Sequence, residues 1–266
     1  MHKISLAELS IILVEPSDTQ RKIISSMLAA ENVINIEAAG NVEQAIEAIT
    51  KHGADLVVSA MYFEDGTGLE ILKNIKNNPK TADIPFMLVS SESRPEKLEQ
   101  FKQAGIAAIL PKPFTTANLS RALKTSVDLI NAEELNLDHF DVQDVRVLLV
   151  DDSRLARNHI RRVLENLGLN KIKEAENGAL ALTLLNDNTF DLVVTDYNMP
   201  EMDGRELAEF IRFSPETAHI PIIMVTSEAA DSLHMANISQ AGINALCDKP
   251  FEIDEVRKML VSLLNE

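Results

Sequence analysis

The stretch Val147–Ser153, which reads VLLVDDS, decides the organisation of this chain because it occurs twice. Its counterpart is Ile11–Ser17, which reads IILVEPS and lies 136 residues earlier. Solenoid repeats are about 20–50 residues long, so a repeat of this length indicates a duplicated domain. Further repeated pairs are DLVVS at 55–59 with DLVVT at 191–195, and KPF at 112–114 with KPF at 249–251.

The duplication divides the 266 residues into three parts. Residues 1–130 and 145–266 are the two copies, and residues 131–144 join them. The joining segment contains five acidic residues and no Lys, Arg, Pro or Gly. This composition predicts an acidic linker that is extended or helical.

Each copy alternates short apolar runs with helical patterns. Continuous runs of Val, Ile and Leu are typical of parallel strands that are buried on both faces. Five strands that alternate with helices predict a doubly wound α/β domain, in which ligands bind beyond the carboxyl ends of the strands. In the second copy the runs lie at residues 145–150, 171–175, 191–195, 221–225 and 244–247.

Polar residues follow four of these runs in the second copy. Asp151 and Asp152 end the first run, Asp196 the third and Thr226 the fourth, and Lys249 follows the fifth. Neighbouring strands lie about 4.8 Å apart, so the three carboxylates are expected to crowd into one pocket. Mg²⁺ would relieve their repulsion, and a carboxylate nucleophile with Mg²⁺, a lysine and a hydroxyl is suited to phosphoryl transfer.

With these motifs the second copy resembles a receiver domain of the two-component response-regulator family. The resemblance implies a flavodoxin-like (βα)5 fold in each copy, with sheet order 2-1-3-4-5. It implies that Asp196 accepts a phosphoryl group from a phosphohistidine on a histidine kinase or histidine phosphotransfer protein. Mg²⁺ is then held by Asp151, Asp152, Asp196 and the backbone carbonyl of Asn198.

The family also assigns roles on the other side of the pocket. Thr226 and Lys249 are expected to bind phosphoryl oxygens, and the Lys249–Pro250 peptide is expected to be cis. Receivers usually carry Tyr or Phe three residues before the lysine, where this chain has Leu246. The usual aromatic switch is therefore missing, although phosphorylation is still expected to change binding to a downstream protein target.

The first copy lacks the chemistry of the second. Glu15 and Pro16 replace the acid pair, Ala60 replaces Asp196 and Ser90 replaces Thr226, while Lys112 persists. Alanine has no nucleophilic atom and Pro16 has no side-chain ligand. We therefore expect a degenerate receiver in which Glu15 pairs with Lys112, retained as an interaction or homodimerisation module.

Composition excludes several other classes of function. A formal net charge of −16 disfavours direct contact with nucleic acid or a membrane surface. The single cysteine, Cys247, excludes an intrachain disulfide and a cysteine-built metal site. With no signal peptide and no apolar run of about 18 residues, we expect a cytoplasmic protein.

Two alternative functions belong to related folds, and a third is another role for the same receiver. An aspartate-nucleophile phosphohydrolase would carry Asp-x-Asp after strand one, where this chain has adjacent aspartates. A flavin carrier would have hydroxyl- and glycine-rich phosphate loops instead of an acid cluster. A phosphate sink within a phosphorelay would use the same acceptor without a downstream target. We expect a non-enzymatic regulator.

A row of arginines lies on the first predicted helix of the second copy. Their spacing places them on one helix face. We expect this face to be solvated or to serve as a docking surface for an acidic partner. The residues are Arg154, Arg157, Arg161 and Arg162.

Overall fold

The computed structural model describes residues 4–131, 133–137, 141–227 and 241–265. The chain divides into two compact units, residues 1–131 and residues 132–266. Each unit has a five-stranded parallel sheet of its own, so the predicted duplication is a duplication of the fold.

The first unit has the sheet order β2-β1-β3-β6-β7. A two-stranded antiparallel hairpin, β4 and β5, interrupts the connection after β3 and has no counterpart in the predicted pattern. The elements are β1 Ser10–Val14, α1 Asp18–Ala30, β2 Asn35–Ala39, α2 Val42–His52, β3 Leu56–Ser59, β4 Tyr62–Phe63, β5 Gly66–Thr67, α3 Gly68–Asn77, β6 Phe86–Ser90, α4 Pro95–Gln103, β7 Ala108–Pro111 and α5 Thr116–Ile130.

The second unit has the sheet order β9-β8-β10-β11-β12, so the order 2-1-3-4-5 is confirmed in both copies. A short 3₁₀ helix, Val142–Asp144, precedes the first strand. The elements are β8 Arg146–Val150, α6 Arg154–Asn166, β9 Lys171–Ala175, α7 Gly178–Asp187, β10 Leu192–Asp196, α8 Gly204–Phe213, β11 Ile222–Thr226, β12 Ala245–Asp248 and α9 Ile253–Leu264.

Strand position explains which runs are continuously apolar. The inner strands β10 and β11 are buried along their whole length. Strand β9 lies at the edge of the sheet, and its sequence KIKEA alternates between exposed and less exposed residues. The expectation that this run is apolar on both faces is wrong, because an edge strand has a neighbouring strand on one side only and its side chains are less covered.

The segment predicted to be an acidic linker packs on the second unit where the structure describes it. Leu135 and Leu137 are buried. The Leu135 amide donates to the Leu167 carbonyl over 2.8 Å, and Arg257 donates to the Glu133 carbonyl over 2.7 Å. The two leucines bury apolar surface, which a purely acidic linker would not do.

Within the ranges that the structure describes, no helix is both long and apolar enough to cross a bilayer.

Candidate functional site

The carboxyl ends of β8 and β10 bring three aspartates of the second unit together. The register pairs Thr195 with Val150, so the next residues along the two strands, Asp196 and Asp151, are neighbours. One carboxylate oxygen from each of Asp151, Asp152 and Asp196 lies within 4.8 Å of the others. The crowding expected from the sequence is therefore present.

Asp151 is fully buried and both of its oxygens are bonded. Oδ1 accepts the Ser153 amide over 2.8 Å, and Oδ2 accepts the Lys249 ammonium over 3.0 Å. Burial raises the pKa of Asp151, and the charge of Lys249 opposes that rise without cancelling it. Helix α6 is capped by the Ser153 side chain rather than by either aspartate, so Asp151 is not a helix cap.

Asp196 is 1% exposed and ends the inner strand β10. Its Oδ2 lies 3.1 Å from Lys249 Nζ, which makes the two groups an ion pair. Among the described residues, this buried oxygen has no hydrogen-bond partner. Burial, opposed by Lys249 and reinforced by the Asp151 charge, raises the pKa of Asp196 to about 6.

Lys249 supplies the positive charge of the site from the end of β12. The lysine is buried, and its amide donates to the Thr226 carbonyl over 2.7 Å. Burial would lower the pKa of Lys249, but the charges of Asp151 and Asp196 outweigh it and raise that pKa. The ammonium therefore remains charged at neutral pH. Thr226 is buried at the end of β11, beside Asp248.

The other predicted residues differ in how far they are exposed. Asp152 and Asn198 are exposed, so Asp152 gives the acid cluster a solvent-facing side. The role of the Asn198 carbonyl stays a prediction. Leu246 is half-buried on β12. The Lys249–Pro250 peptide is cis, as the resemblance implies, and so is Lys112–Pro113.

Arg157 holds the backbone of Asp151 by a hydrogen bond, a role that the sequence did not predict. Its guanidinium donates to the Asp151 carbonyl over 2.6 Å and to Glu174 over 3.0 Å. Its side chain is 12% exposed, so the expectation of a solvated or docking position is wrong for this arginine. In the first unit, Arg21 donates to the Glu15 carbonyl over 2.6 Å. In both units the arginine lies six residues after the acid, and this repeated spacing could have indicated its role.

Gly204 lets helix α8 approach the end of β10. A Cβ atom at this position would lie 2.2 Å from the Asp196 carbonyl oxygen, so any other residue would displace the backbone that carries Asp196. Gly68 makes the same approach to Ala60 in the first unit. The preceding Asp203 caps helix α8 and forms a capping box with Glu206.

The donor set of this centre fits a hard divalent cation. Three carboxylates and one ammonium leave two negative charges unbalanced, and the buried Asp196 Oδ2 lacks a hydrogen bond among the described residues. Carboxylate oxygens with water are the ligands that Mg²⁺ prefers. Asp151, Asp152 and Asp196 are therefore the residues that could hold it.

The equivalent position in the first unit has a different composition. Glu15 is buried; its Oε2 accepts the Lys112 ammonium over 2.9 Å and its Oε1 accepts the Ser17 amide over 3.1 Å. The pairing of Glu15 with Lys112 is thus as predicted. Ala60 is buried where the second unit has Asp196, and the Ser90 hydroxyl lies 3.5 Å from Met61 Sδ.

Comparison with known proteins matches both units. The family model of the response regulator receiver domain matches residues 11–124 and 147–261. The chemotaxis protein CheY-3 of Vibrio cholerae is 37% identical over 118 residues, which are 44% of this chain and 90% of that protein. The chemotaxis protein CheY of Pseudomonas aeruginosa is 35% identical over 121 residues, which are 46% of this chain and 97% of that protein.

A solved structure described as a probable two-component system response regulator/GGDEF domain protein is 25% identical, with a TM-score of 0.43, and the match covers 96% of this chain and 98% of that one. The family model alone accounts for most of the 266 residues, in two segments that fall one in each unit. The chain therefore belongs to the response regulator receiver family and carries two receiver domains in tandem.

Proposed function

We propose that the second domain is the phosphoryl acceptor of a two-component phosphorelay and that Asp196 takes the phosphoryl group. The observation that carries this proposal is the buried Asp196 carboxylate, 3.1 Å from Lys249 and beside two further carboxylates. A nucleophile with a neighbouring ammonium and a site for a divalent cation is what phosphoryl transfer to a carboxylate requires.

In the proposed transfer, an Asp196 oxygen attacks the phosphorus of a phosphohistidine on a histidine kinase or phosphotransfer protein. The phosphorus–nitrogen bond breaks, and its electron pair returns to the imidazole nitrogen. Lys249 stabilises the negative charge on the phosphoryl oxygens, and the Thr226 hydroxyl donates a hydrogen bond to one of them. Mg²⁺, when bound by the three aspartates, would neutralise charge on the phosphoryl group.

The product, an aspartyl phosphate, is the signal rather than an intermediate in turnover of a substrate. Phosphorylation adds negative charge next to Lys249 and Thr226, at the ends of β12 and β11. New contacts of these residues with phosphoryl oxygens would change the surface that a downstream protein binds. Leu246 cannot act as an aromatic switch, so the response would depend on Thr226 and Lys249.

The first domain, in this proposal, accepts no phosphoryl group and serves as an interaction module. Ala60 offers no nucleophile, and Pro16 offers no side-chain ligand for a cation. Glu15 and Lys112 form an ion pair with each other. The sheet and its buried core are retained around this pair. Retention of the fold without the acceptor supports a role in binding.

Phosphate-affinity electrophoresis after incubation with Mg²⁺ and a small acyl phosphate tests the acceptor. We expect one retarded band for the wild-type chain, none for Asp196→Asn, and an unchanged band for Asp65→Asn, which removes the acid five residues beyond Ala60. Mass spectrometry that maps the modification to another residue would overturn the assignment. Steady-state hydrolysis of phosphate esters would instead favour the phosphohydrolase.

Rapid loss of the phosphoryl group, with no change in binding to any partner protein, would instead favour a phosphate sink. Both readings keep Asp196 as the acceptor, so the lifetime of the modified band and the binding measurement distinguish them. Removal of residues 1–131 tests the module role of the first domain. An unchanged oligomeric state and unchanged partner binding would contradict it.

A further inference from the structure

Two aromatic side chains of the second domain lie in solvent. Phe213, the last residue of α8, is 90% exposed, and Phe210, one turn earlier, is 56% exposed. Both line a groove of about 1130 Å³. The groove lies where β8, β9 and β10 begin, whereas Asp196 lies at the other end of the strands, where β10 ends. Exposed apolar side chains that line a groove are typical of protein interfaces.

The first domain shows that the fold does not require these aromatics. The equivalent positions on α3 are Asn74 and Asn77, 136 residues earlier, and both are exposed. Two domains with the same sheet order therefore carry amide side chains in one case and phenyl rings in the other. The exposed rings are a property of the second domain, and exposing them to water is unfavourable unless a partner covers them.

The charges around the groove are balanced although the chain as a whole carries −16. Its lining contains three cationic and three acidic side chains. Over most of their surface, two copies of this chain would repel each other, and a neutral patch is where they can approach. Arg146 and Asp191 form an ion pair within each copy. A two-fold interface presents the same patch from both copies, so Lys173 of one copy can face Asp187 or Glu216 of the other. The six residues are Arg146, Lys171, Lys173, Asp187, Asp191 and Glu216.

We propose that two copies of this chain associate through this groove, with Phe213 of each copy entering the groove of the other. The proposal is independent of phosphoryl transfer, because the groove and the acid cluster lie at opposite ends of the strands. It gives the chain a dimer contact on the second domain, in addition to any made by the first.

Sedimentation velocity on the full chain, from about 1 µM to about 1 mM, tests the proposal. We expect the wild-type chain to dimerise within this range and the double variant Phe210→Asn/Phe213→Asn to dimerise at least tenfold more weakly, or about 1.4 kcal/mol. The substituted residues are those of the first domain, so the fold should tolerate them. Leu180→Gln is the matched control: it replaces another exposed apolar residue with its first-domain counterpart, outside the groove lining.

A charge swap gives a second, independent test. Lys173→Glu introduces the residue of the first domain, Glu37, and unbalances the groove, so it should weaken the dimer, most strongly at low salt. Adding Asp187→Lys, which introduces the counterpart Lys51, restores the balance and should restore association. A monomeric wild-type chain, a dimer that is unaffected by the aromatic variant, or failure of the charge swap to rescue association would overturn the proposal.

Discussion

Lys112 and Glu15 form an ion pair 2.9 Å long in the first domain, at the place where Lys249 and Asp151 form one 3.0 Å long in the second. In both domains the acid also accepts the amide two residues later, Ser17 or Ser153. This acid–lysine pair is therefore common to both domains, whether the strand is followed by an alanine, as β3 is, or ends in an aspartate, as β10 does. What distinguishes the two sites is Asp196 against Ala60, together with Asp152 against Pro16.

The ion pair of the first domain should be required for stability. Lys112→Met leaves the Glu15 carboxylate, whose side chain is 5% exposed, without its cation. We expect a loss of about 1–3 kcal/mol in the free energy of unfolding, below the full cost for a buried pair because Lys112 is 26% exposed. Urea unfolding measures it. Adding Glu15→Gln to Lys112→Met should recover part of the loss, and strictly additive effects would contradict the pairing.

Asp196→Asn should stabilise the chain at neutral pH. Burial raises the pKa of Asp196 from 3.8 to about 6, so the folded state binds this proton more tightly than the unfolded state. The resulting stability is present below pH 3.8 and is lost as the pH rises through about 6. We expect the variant to exceed the wild type by about 1–3 kcal/mol at pH 7.5 without Mg²⁺, and to match it in acid.

Asp65→Asn should give a pH dependence of the opposite sign. The Val42 amide bonds to this carboxylate and lowers its pKa; burial opposes this effect, and the Glu43 amide reinforces it. Its stabilising effect is present above pH 3.8 and is lost as the pH falls through the lowered value. The variant should therefore be less stable than wild type at pH 7.5 and equal to it in acid. Thermal unfolding of both variants at pH 7.5 and in acid checks the two predictions. If both substitutions changed the stability at pH 7.5 in the same direction, the opposite pKa shifts of Asp196 and Asp65 would be refuted.

Mg²⁺ should raise the melting temperature of the wild-type chain. Binding to the folded state alone stabilises it in proportion to the logarithm of cation concentration. Asp152→Asn removes an exposed carboxylate of the cluster and should weaken the affinity for Mg²⁺ about tenfold or more, so that correspondingly more Mg²⁺ is needed for the same rise. Asp248→Asn, an exposed acid that ends β12 outside the cluster, is the control and should respond like wild type. An equal response of all three chains would place the cation elsewhere.

Ala60→Asp alone should not make the first domain a good acceptor, because Pro16 supplies no second carboxylate. In an Asp196→Asn background, the added Pro16→Asp change should be needed before a retarded band appears on phosphate-affinity gels. Strong modification of the Ala60→Asp chain without the second change would show that one carboxylate and Lys112 suffice.

Much of the fold follows from local sequence. The inner strands could be predicted because they are buried on both faces and read as unbroken apolar runs, and the caps at Ser153 and Asp203 obey local rules. The acid cluster could also be predicted, since parallel strands end at one edge of a sheet. The exposure of strand β9 could not be predicted, because it depends on the position of the strand at the end of the sheet, where it pairs with β8 alone.

Features that depend on distant contacts could not be predicted in this way. The approach of Gly204 to the Asp196 carbonyl requires the packing of α8 against β10. The hairpin formed by β4 and β5 has only two residues in each strand, too few for a periodic signal. The groove beside Phe213 is built from helix ends and strand starts that are far apart in the chain.

The contact of Leu135 with the second domain determines where the two halves can be separated experimentally. A truncation that begins at residue 145, where the repeat itself begins, removes Leu135 and Leu137 and leaves the Leu167 carbonyl without its backbone donor. A truncation that begins at residue 132 keeps both leucines and the hydrogen bond to the Leu167 carbonyl. The isolated second half should therefore express and refold better from the longer start, and comparisons between the halves should use that boundary.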